Sequence, residues 1–259
     1  MISDEELLRY SRQIMLPGFD VAGQERLRAA QVLIIGLGGL GSPVALYLAA
    51  AGVGGLHLAD GDAVDITNLQ RQIAHGESDL DSNKAASAAA ACSALNASIS
   101  VEVTRANLSG SALRQAIAAA DLVVDATDNF STRIEINRAC IQARKPLVSG
   151  AAIGCEGQVT LFDVAAGTGC YRCLYPDIDG APQLSCSENG VLSPIVGLIG
   201  SLQALEVVKR LSGYGESLAG SLLLVDGRCL DVQRLKTVRN PGCPDCGESP
   251  APVDDQTKP

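Results

Sequence analysis

The sequence has no tryptophan, and aromatic residues make up only 3% of its 259 positions. Alanine, leucine, valine and isoleucine must therefore fill the core, and at 47% hydrophobic content there is enough apolar side chain for a sizeable one. Basic residues are in deficit: 20 Lys and Arg stand against 29 Asp and Glu, a net charge of −9. That balance argues against nucleic acid or an anionic membrane as the main partner, and any bound anion needs a local basic pocket. No apolar run is long and charge-free enough to span a bilayer, and the acidic start MISDEELLRY lacks the apolar centre of a signal peptide. The expected location is the cytoplasm. Disulfides are disfavoured there, so the odd count of nine cysteines points first to metal binding or catalysis.

What is present is organised around Gln31 to Asp60. Val32 to Ile35 has the length and β-branched content of a buried parallel strand. Gly36-Leu37-Gly38-Gly39-Leu40-Gly41 follows, a G-x-G-x-x-G that lets backbone approach a phosphate. Ser42 and Pro43 suit a helix start, Gly52 suits its end, and Leu56 to Asp60 reads as the next strand. The helix N-terminus favours negative charge. Asp60, about 20 residues past the glycines, stands where an acid accepts from ribose hydroxyls. The order is that of a nucleotide-binding βαβ unit, although a turn that merely needs glycines would share part of the pattern.

Elsewhere, Ser3 to Arg12 reads as a short helix with Arg9 and Arg12 on one face, and Gly23 to Ala30 as a second. The polar stretch after Asp60 carries Asp62, Asn68, Arg71 and Gln72 just beyond a strand's carboxyl end, where ligands sit in open α/β sheets. Arg71 suits phosphate oxygens, or is part of a hydrophilic loop. Lys84 opens an Ala-rich helix to Leu95, at the end where the dipole disfavours a cation; it is a surface lysine or it faces an anion. Ile99 to Val103 is a strand, Ser109 to Ala119 a helix and Leu122 to Ala126 a third core strand. Asp125 and Asp128 either join a metal–phosphate complex, or Asp128 merely caps the helix Phe130–Ala143. Pro146 to Ser149 is a short strand and Gly157 to Asp163 alternates like a half-buried one. From there the pattern turns to strands and loops, interrupted by a long helix from Ser193 closed by Gly213, and ends in a hairpin over Ser221 to Leu235.

Cys170-x-x-Cys173 and Cys243-x-x-Cys246 are two chelating pairs that together complete a tetrahedral four-thiolate zinc site. With no open coordination position the metal is structural. A redox pair or buried free thiols are the alternatives. Cys92 and Cys140 fall in helices and read as core residues. Cys186 lies in a polar loop, QLSCSENG, with neither His57 nor His75 near it in sequence; it is a candidate nucleophile.

Together these stretches resemble a known group, the adenylyltransferases that activate ubiquitin-like sulfur carriers: MoeB, ThiF and HesA. The resemblance runs from LLRYSRQI to NPGCPDCG through GLGGLGS, NLQRQ, DATDNFSTR, the two cysteine pairs and GSLQALE. SGAAIGCEGQ, SGYGE and VRNPGCPDCG look more like the molybdopterin-synthase (MoeB) type, while ADGD also suits the thiamine type. The resemblance implies adenylation by MgATP of a sulfur carrier's C-terminal Gly-Gly, of MoaD or ThiS type, ahead of thiocarboxylate formation. It implies that Gly36, Gly38, Gly39 and Gly41 approach ATP and that Asp60 binds ribose. Asn68, Arg71, Gln72 and Lys84 then lie on the phosphate side, with Asp62 and Asn129 beside them, and Asp128 goes with magnesium. Arg12 would reach the site of a neighbouring subunit, making a homodimer. Cys186 aligns with a cysteine used for sulfur handling in ThiF-like members. Lys84 follows Asp81-Ser82-Asn83, where relatives often carry a proline.

The expected fold is α/β: a Rossmann-like, mostly parallel sheet flanked by helices, then antiparallel strands and the zinc site. Residues 1–247 form one domain, nucleotide-binding to about 150 and carrier- and zinc-binding after it, with a disordered tail at 248–259. A separate cysteine desulfurase or rhodanese is the expected sulfur donor. A nicotinamide-dependent dehydrogenase would share the opening βαβ unit, and a non-catalytic carrier-binding scaffold the zinc platform. The first leaves NLQRQ, Lys84 and the paired cysteines unexplained, and the second leaves the ATP-side polar residues without a purpose.

Overall fold

Gln31–Ile35 forms β1, buried at every position after the first. It lies between β2 (Gly55–Ala59) and β4 (Leu122–Asp125), parallel to both, with Val32 opposite Leu56 on one side and Leu122 on the other. The computed structural model describes residues 2–176 and 190–247. With β3 (Ser100–Thr104), β5 (Leu147–Ile153), β6 (Glu156–Phe162), β7 (Ser221–Asp226) and β8 (Asp231–Lys236) the strands form one eight-stranded sheet, ordered β3-β2-β1-β4-β5-β6-β7-β8. The first five in chain order run parallel; β6, β7 and β8 continue the sheet antiparallel.

The alternation of side chains along β1 divides the core. Val32 and Ile34 face a cluster shared with helices α3 (Asp20–Ala29), α4 (Gly41–Ala51), α5 (Lys84–Leu95) and α9 (Ser193–Ser212). Leu33 and Ile35 face a cluster shared with α6 (Gly110–Ala119) and α7 (Phe130–Ala143). Helices therefore cover both faces of the parallel region, as such strands require. The chain runs outward from β1 through β2 to β3 and then returns to β4 on β1's other side. That reversal opens a crevice at the carboxyl ends of β1 and β4, the usual ligand position in such sheets.

Three local expectations change. The first helix is two, α1 (Asp4–Arg9) and α2 (Ser11–Ile14), because Tyr10 turns inward, 5% exposed, and its hydroxyl accepts from Asn96 Nδ2 at 2.8 Å. Helix α4 starts at Gly41, so Ser42 lies inside it and caps nothing; its hydroxyl is buried with no hydrogen-bond partner among the described residues. The strand expected over residues 146–149 runs on to Ile153, because its far half pairs with β6 as far as Glu156. Cys186 and residues 248–259 lie outside the described residues. No helix among the described residues is long and apolar enough to cross a membrane.

Candidate active site and metal centre

The crevice is a cavity of about 1220 Å³. Gly36, Gly38, Gly39, Asp60, Asp62, Asn68, Arg71, Gln72, Lys84, Asp128 and Asn129 all line it. Gly41 does not, and its part is steric. A Cβ there would stand 1.9 Å from the Gly36 carbonyl oxygen, so only glycine lets the helix start fold back on the strand end. Gly36 itself has φ +90° and lies against the backbone of Ala126, at the end of β4. Gly41→Ala is expected to cost about 1–3 kcal/mol by overpacking, read in a thermal melt as a Tm lowered by several degrees; an unchanged Tm would mean the turn has room to spare.

Asp60 holds the loop that follows the first strand. Its Oδ2 accepts from Leu37 N–H at 2.7 Å and its Oδ1 from Asp62 N–H at 2.8 Å. Lys84 is not a surface lysine: it is 7% exposed at the first position of α5, and Nζ pairs with Asp62 Oδ2 at 2.9 Å. Asn83 caps that helix, its side chain accepting from Ala86 N–H. The cation thus sits at an unfavourable helix end, held by an exposed carboxylate on the rim of the cavity. Arg71 donates from Nη1 to the Thr67 carbonyl at 3.1 Å, which leaves other guanidinium donors free for an anion. Gln72 is 4% exposed, and its Oε1 has no hydrogen-bond partner among the described residues.

The two acids after β4 separate. Asp125 is fully buried and saturated: Oδ1 accepts from Thr127 N–H and Oγ1, and Oδ2 from Ser149 Oγ. It is not among the cavity-lining residues and takes no part in a metal–phosphate site. Asp128 lines the cavity, and Asn129, not Asp128, caps α7 by accepting from Thr132 N–H. Arg12 is exposed on α2 and lines no part of the cavity.

Sequence reasoning missed the far wall. Beyond the glycine loop the cavity continues past Arg133, Gln158, Tyr171 and Tyr175 to Asp226 and Gln233 on β7 and β8. Arg133 is 5% exposed and donates to the carbonyls of Thr127 and Gly150, tying the β4 exit to β5. Its only sequence signal was the DNFSTR stretch that contains it.

Cys170, Cys173, Cys243 and Cys246 gather into one cluster, their sulfurs all within 4.8 Å of one another. The sulfurs stand 4.0 Å apart for Cys170–Cys173, 3.6 Å for Cys170–Cys243 and 3.4 Å for Cys173–Cys246. A zinc–sulfur tetrahedron with bonds of about 2.3 Å has edges of about 3.8 Å, so the donor set fits the ion. Asp245 braces the cluster against α7, accepting from Asn137 Nδ2 at 3.1 Å and from Arg138 Nε at 2.9 Å. Asn137 also accepts from Tyr171 N–H at 2.9 Å, and Tyr171 belongs to the short helix α8 (Tyr171–Leu174) on the cavity wall. The metal centre and the cavity therefore share α8, which has Cys170 at its N-cap and Cys173 within it, and Asn137 adds a side-chain link between them.

The ThiF family profile matches residues 10–245. The chain belongs to the ThiF family. It is 47% identical over 247 residues to the molybdopterin-synthase adenylyltransferase of Escherichia coli K12, covering 95% of this chain and 99% of that one. It is equally 47% identical to the sulfur carrier protein ThiS adenylyltransferase of the same organism, over 250 residues, 96% of this chain and 99% of that one. Among solved structures, E. coli MccB with ATP superposes with a TM-score of 0.81 at 25% identity, covering 93% of this chain and 75% of that one. In this ThiF-family chain, the glycine loop, the cavity and three of the four clustered cysteines fall within the matched range, and Cys246 lies one residue beyond it.

Proposed function

We propose that this chain adenylates the C-terminal glycine of a ubiquitin-like sulfur carrier with ATP. The observation that carries the reading is one cavity that unites the glycine loop, Asp60, Arg71, Lys84 and Asp128 at the sheet's switch point. In a chain of net charge −9, Arg71, Lys84 and Arg133 supply local positive charge on one lining. The cavity of about 1220 Å³ also exceeds the ~300–1000 Å³ usual for one small ligand. The surplus runs along β6 to β8 and suits an extended chain end entering to meet a nucleotide.

On this reading the glycine loop and the start of α4 hold the phosphates, and Asp60 holds the ribose. The carrier's terminal carboxylate attacks the α-phosphate. A carboxylate–phosphorus bond forms, the bond to the β-phosphate's bridging oxygen breaks, and pyrophosphate leaves with that electron pair. No general base is needed, because the nucleophile is already an anion; the requirement is charge neutralisation and alignment. Arg71 and Lys84 supply part of that neutralisation. Asp128, with Asn129 beside it, would hold the magnesium that neutralises the rest. The four cysteines would hold one zinc as a structural ion. A separate donor of sulfide-level sulfur then attacks the acyl carbon, the bond to AMP breaks and a thiocarboxylate results, with Cys186 as a candidate participant. Arg12 would complete the site of a second copy in a homodimer, and both halves of the sheet act as a single unit.

The names of the relatives favour a MoaD-type carrier over a ThiS-type one, as the C-terminal stretches do. ATP–pyrophosphate exchange with magnesium, assayed with each purified carrier, is expected only with the cognate one. Absence of exchange with both, from folded and metal-loaded protein, would overturn adenylation and favour a carrier-binding scaffold.

A further inference from the structure

His75 is one of two histidines in the chain, is 8% exposed and does not line the cavity. Its ring bridges two elements that do. Nε2 stands 3.0 Å from the Leu37 carbonyl oxygen in the glycine loop, and Nδ1 stands 2.8 Å from the Ser87 hydroxyl oxygen on α5. A carbonyl can only accept, so Nε2 carries the proton; in the neutral ring Nδ1 then accepts from Ser87. Ser87 lies one helical turn beyond Lys84, and the N–H of Leu37 is already fixed by Asp60. The imidazole therefore locks the glycine loop to the helix that presents the lysine.

We propose that His75 is the positioning residue of the nucleotide-binding loop: as the neutral Nε2–H tautomer it holds Leu37, and through it the amides of Gly38 and Gly39, at the spacing from Lys84 that grips the ATP phosphates. This rests on the ATP reading above. Burial lowers the His75 pKa below its ordinary value, helped by Lys84 and opposed by the Leu37 bond, Asp79 and Asp60. The ring thus stays neutral, and the Leu37 carbonyl selects its tautomer while the Ser87 hydroxyl adapts to it. Gln72, whose carbonyl accepts from His75 N–H at 3.1 Å, extends the same support beneath Gly38.

Two substitutions separate the ring's two bonds. His75→Gln keeps an N–H donor near the Nε2 position, whereas His75→Asn reaches only to Nδ1. ATP affinity, measured by calorimetry without carrier, should weaken about tenfold in His75→Ala and His75→Asn and stay within about threefold of the parent in His75→Gln. KM for ATP should rise with kcat little changed, because loop placement acts on ground and transition states alike. With only His57 and His75 present, 15N–1H spectra should show one ring as the Nε2–H tautomer, which protonates at a lower pH than an ordinary imidazole. Parent-like ATP affinity in His75→Ala, equal loss in His75→Gln, or an Nδ1–H tautomer would overturn the inference. If His75→Ala does not fold, the Gln and Asn variants and the spectrum still decide. Parent protein that binds no ATP would overturn the adenylation reading instead, and the tautomer would still decide the loop contact.

Discussion

Asp128→Ala should fold normally and lose carrier-dependent ATP–pyrophosphate exchange by about 10²-fold or more, the scale seen when a preorganised charge-stabilising group is removed. The fold has little need of this carboxylate. Asn129 caps α7, so helix initiation does not depend on Asp128. No ion pair or hydrogen bond engages its side chain among the described residues. What it does have is place: the loop between β4 and α7, in the same lining as the glycine loop and Arg71. An unpaired acid facing a site that must hold a polyanion is electrostatically costly unless a cation stands between them. That makes the charge, not the shape, the important property, and Asp128→Asn should be nearly as impaired as Asp128→Ala. The check is isotope exchange at saturating carrier beside a thermal melt of each variant. Full exchange in either variant would remove Asp128 from the reaction, and a Tm lowered as much as by a core substitution would make its role structural.

The contrast between Asp125 and Asp128 marks how far the sequence could be read. Both are acids at a strand's carboxyl end, and no local pattern separates them. The sheet does: Ser149 on the neighbouring β5 reaches Asp125, and that contact depends on a strand order invisible in the linear chain. The βαβ unit was legible because strand, glycines, helix and acid are contiguous, and its elements appear within a residue or so of expectation. The cysteine pairs were legible for another reason. Their ligand spacing is chemical, so it survives the long interval between them. The placing of Lys84 was ambiguous because helix propensity says nothing about which face is covered; Asp62 and the cavity rim decide it. His75 and the wall at Tyr171 and Tyr175 carried no signal at all. A buried histidine in a polar stretch, or a tyrosine beside a cysteine pair, becomes meaningful only when Leu37, Ser87 and Asn137 arrive from elsewhere in the chain.

Removing one thiolate should produce the largest loss of stability. Cys243→Ser is expected to strip a bound zinc and lower stability by about 3–5 kcal/mol, the range for losing a covalent cross-link that closes a long loop. For a chain of this length that is roughly 10 °C in Tm. Small zinc fingers lose more, because the metal is their core; here two packed clusters of apolar side chains remain when the ion is gone. The damage should also spread in a stated direction. Cys170 and Cys173 hold α8, which carries Tyr171, and Asp245 and Asn137 brace it, so metal loss frees the wall that faces the extended half of the cavity before it reaches the glycine loop. ATP affinity should therefore change little while KM for the carrier rises. Cys229, exposed and outside the cluster, supplies the control: Cys229→Ser should change neither metal content nor Tm. Metal analysis with calorimetry reads the first effect, and separate KM values for ATP and carrier read the second. Zinc retained at one equivalent in Cys243→Ser would refute the four-thiolate site, and equal losses for both substrates would refute the one-sided path through α8 and Asn137.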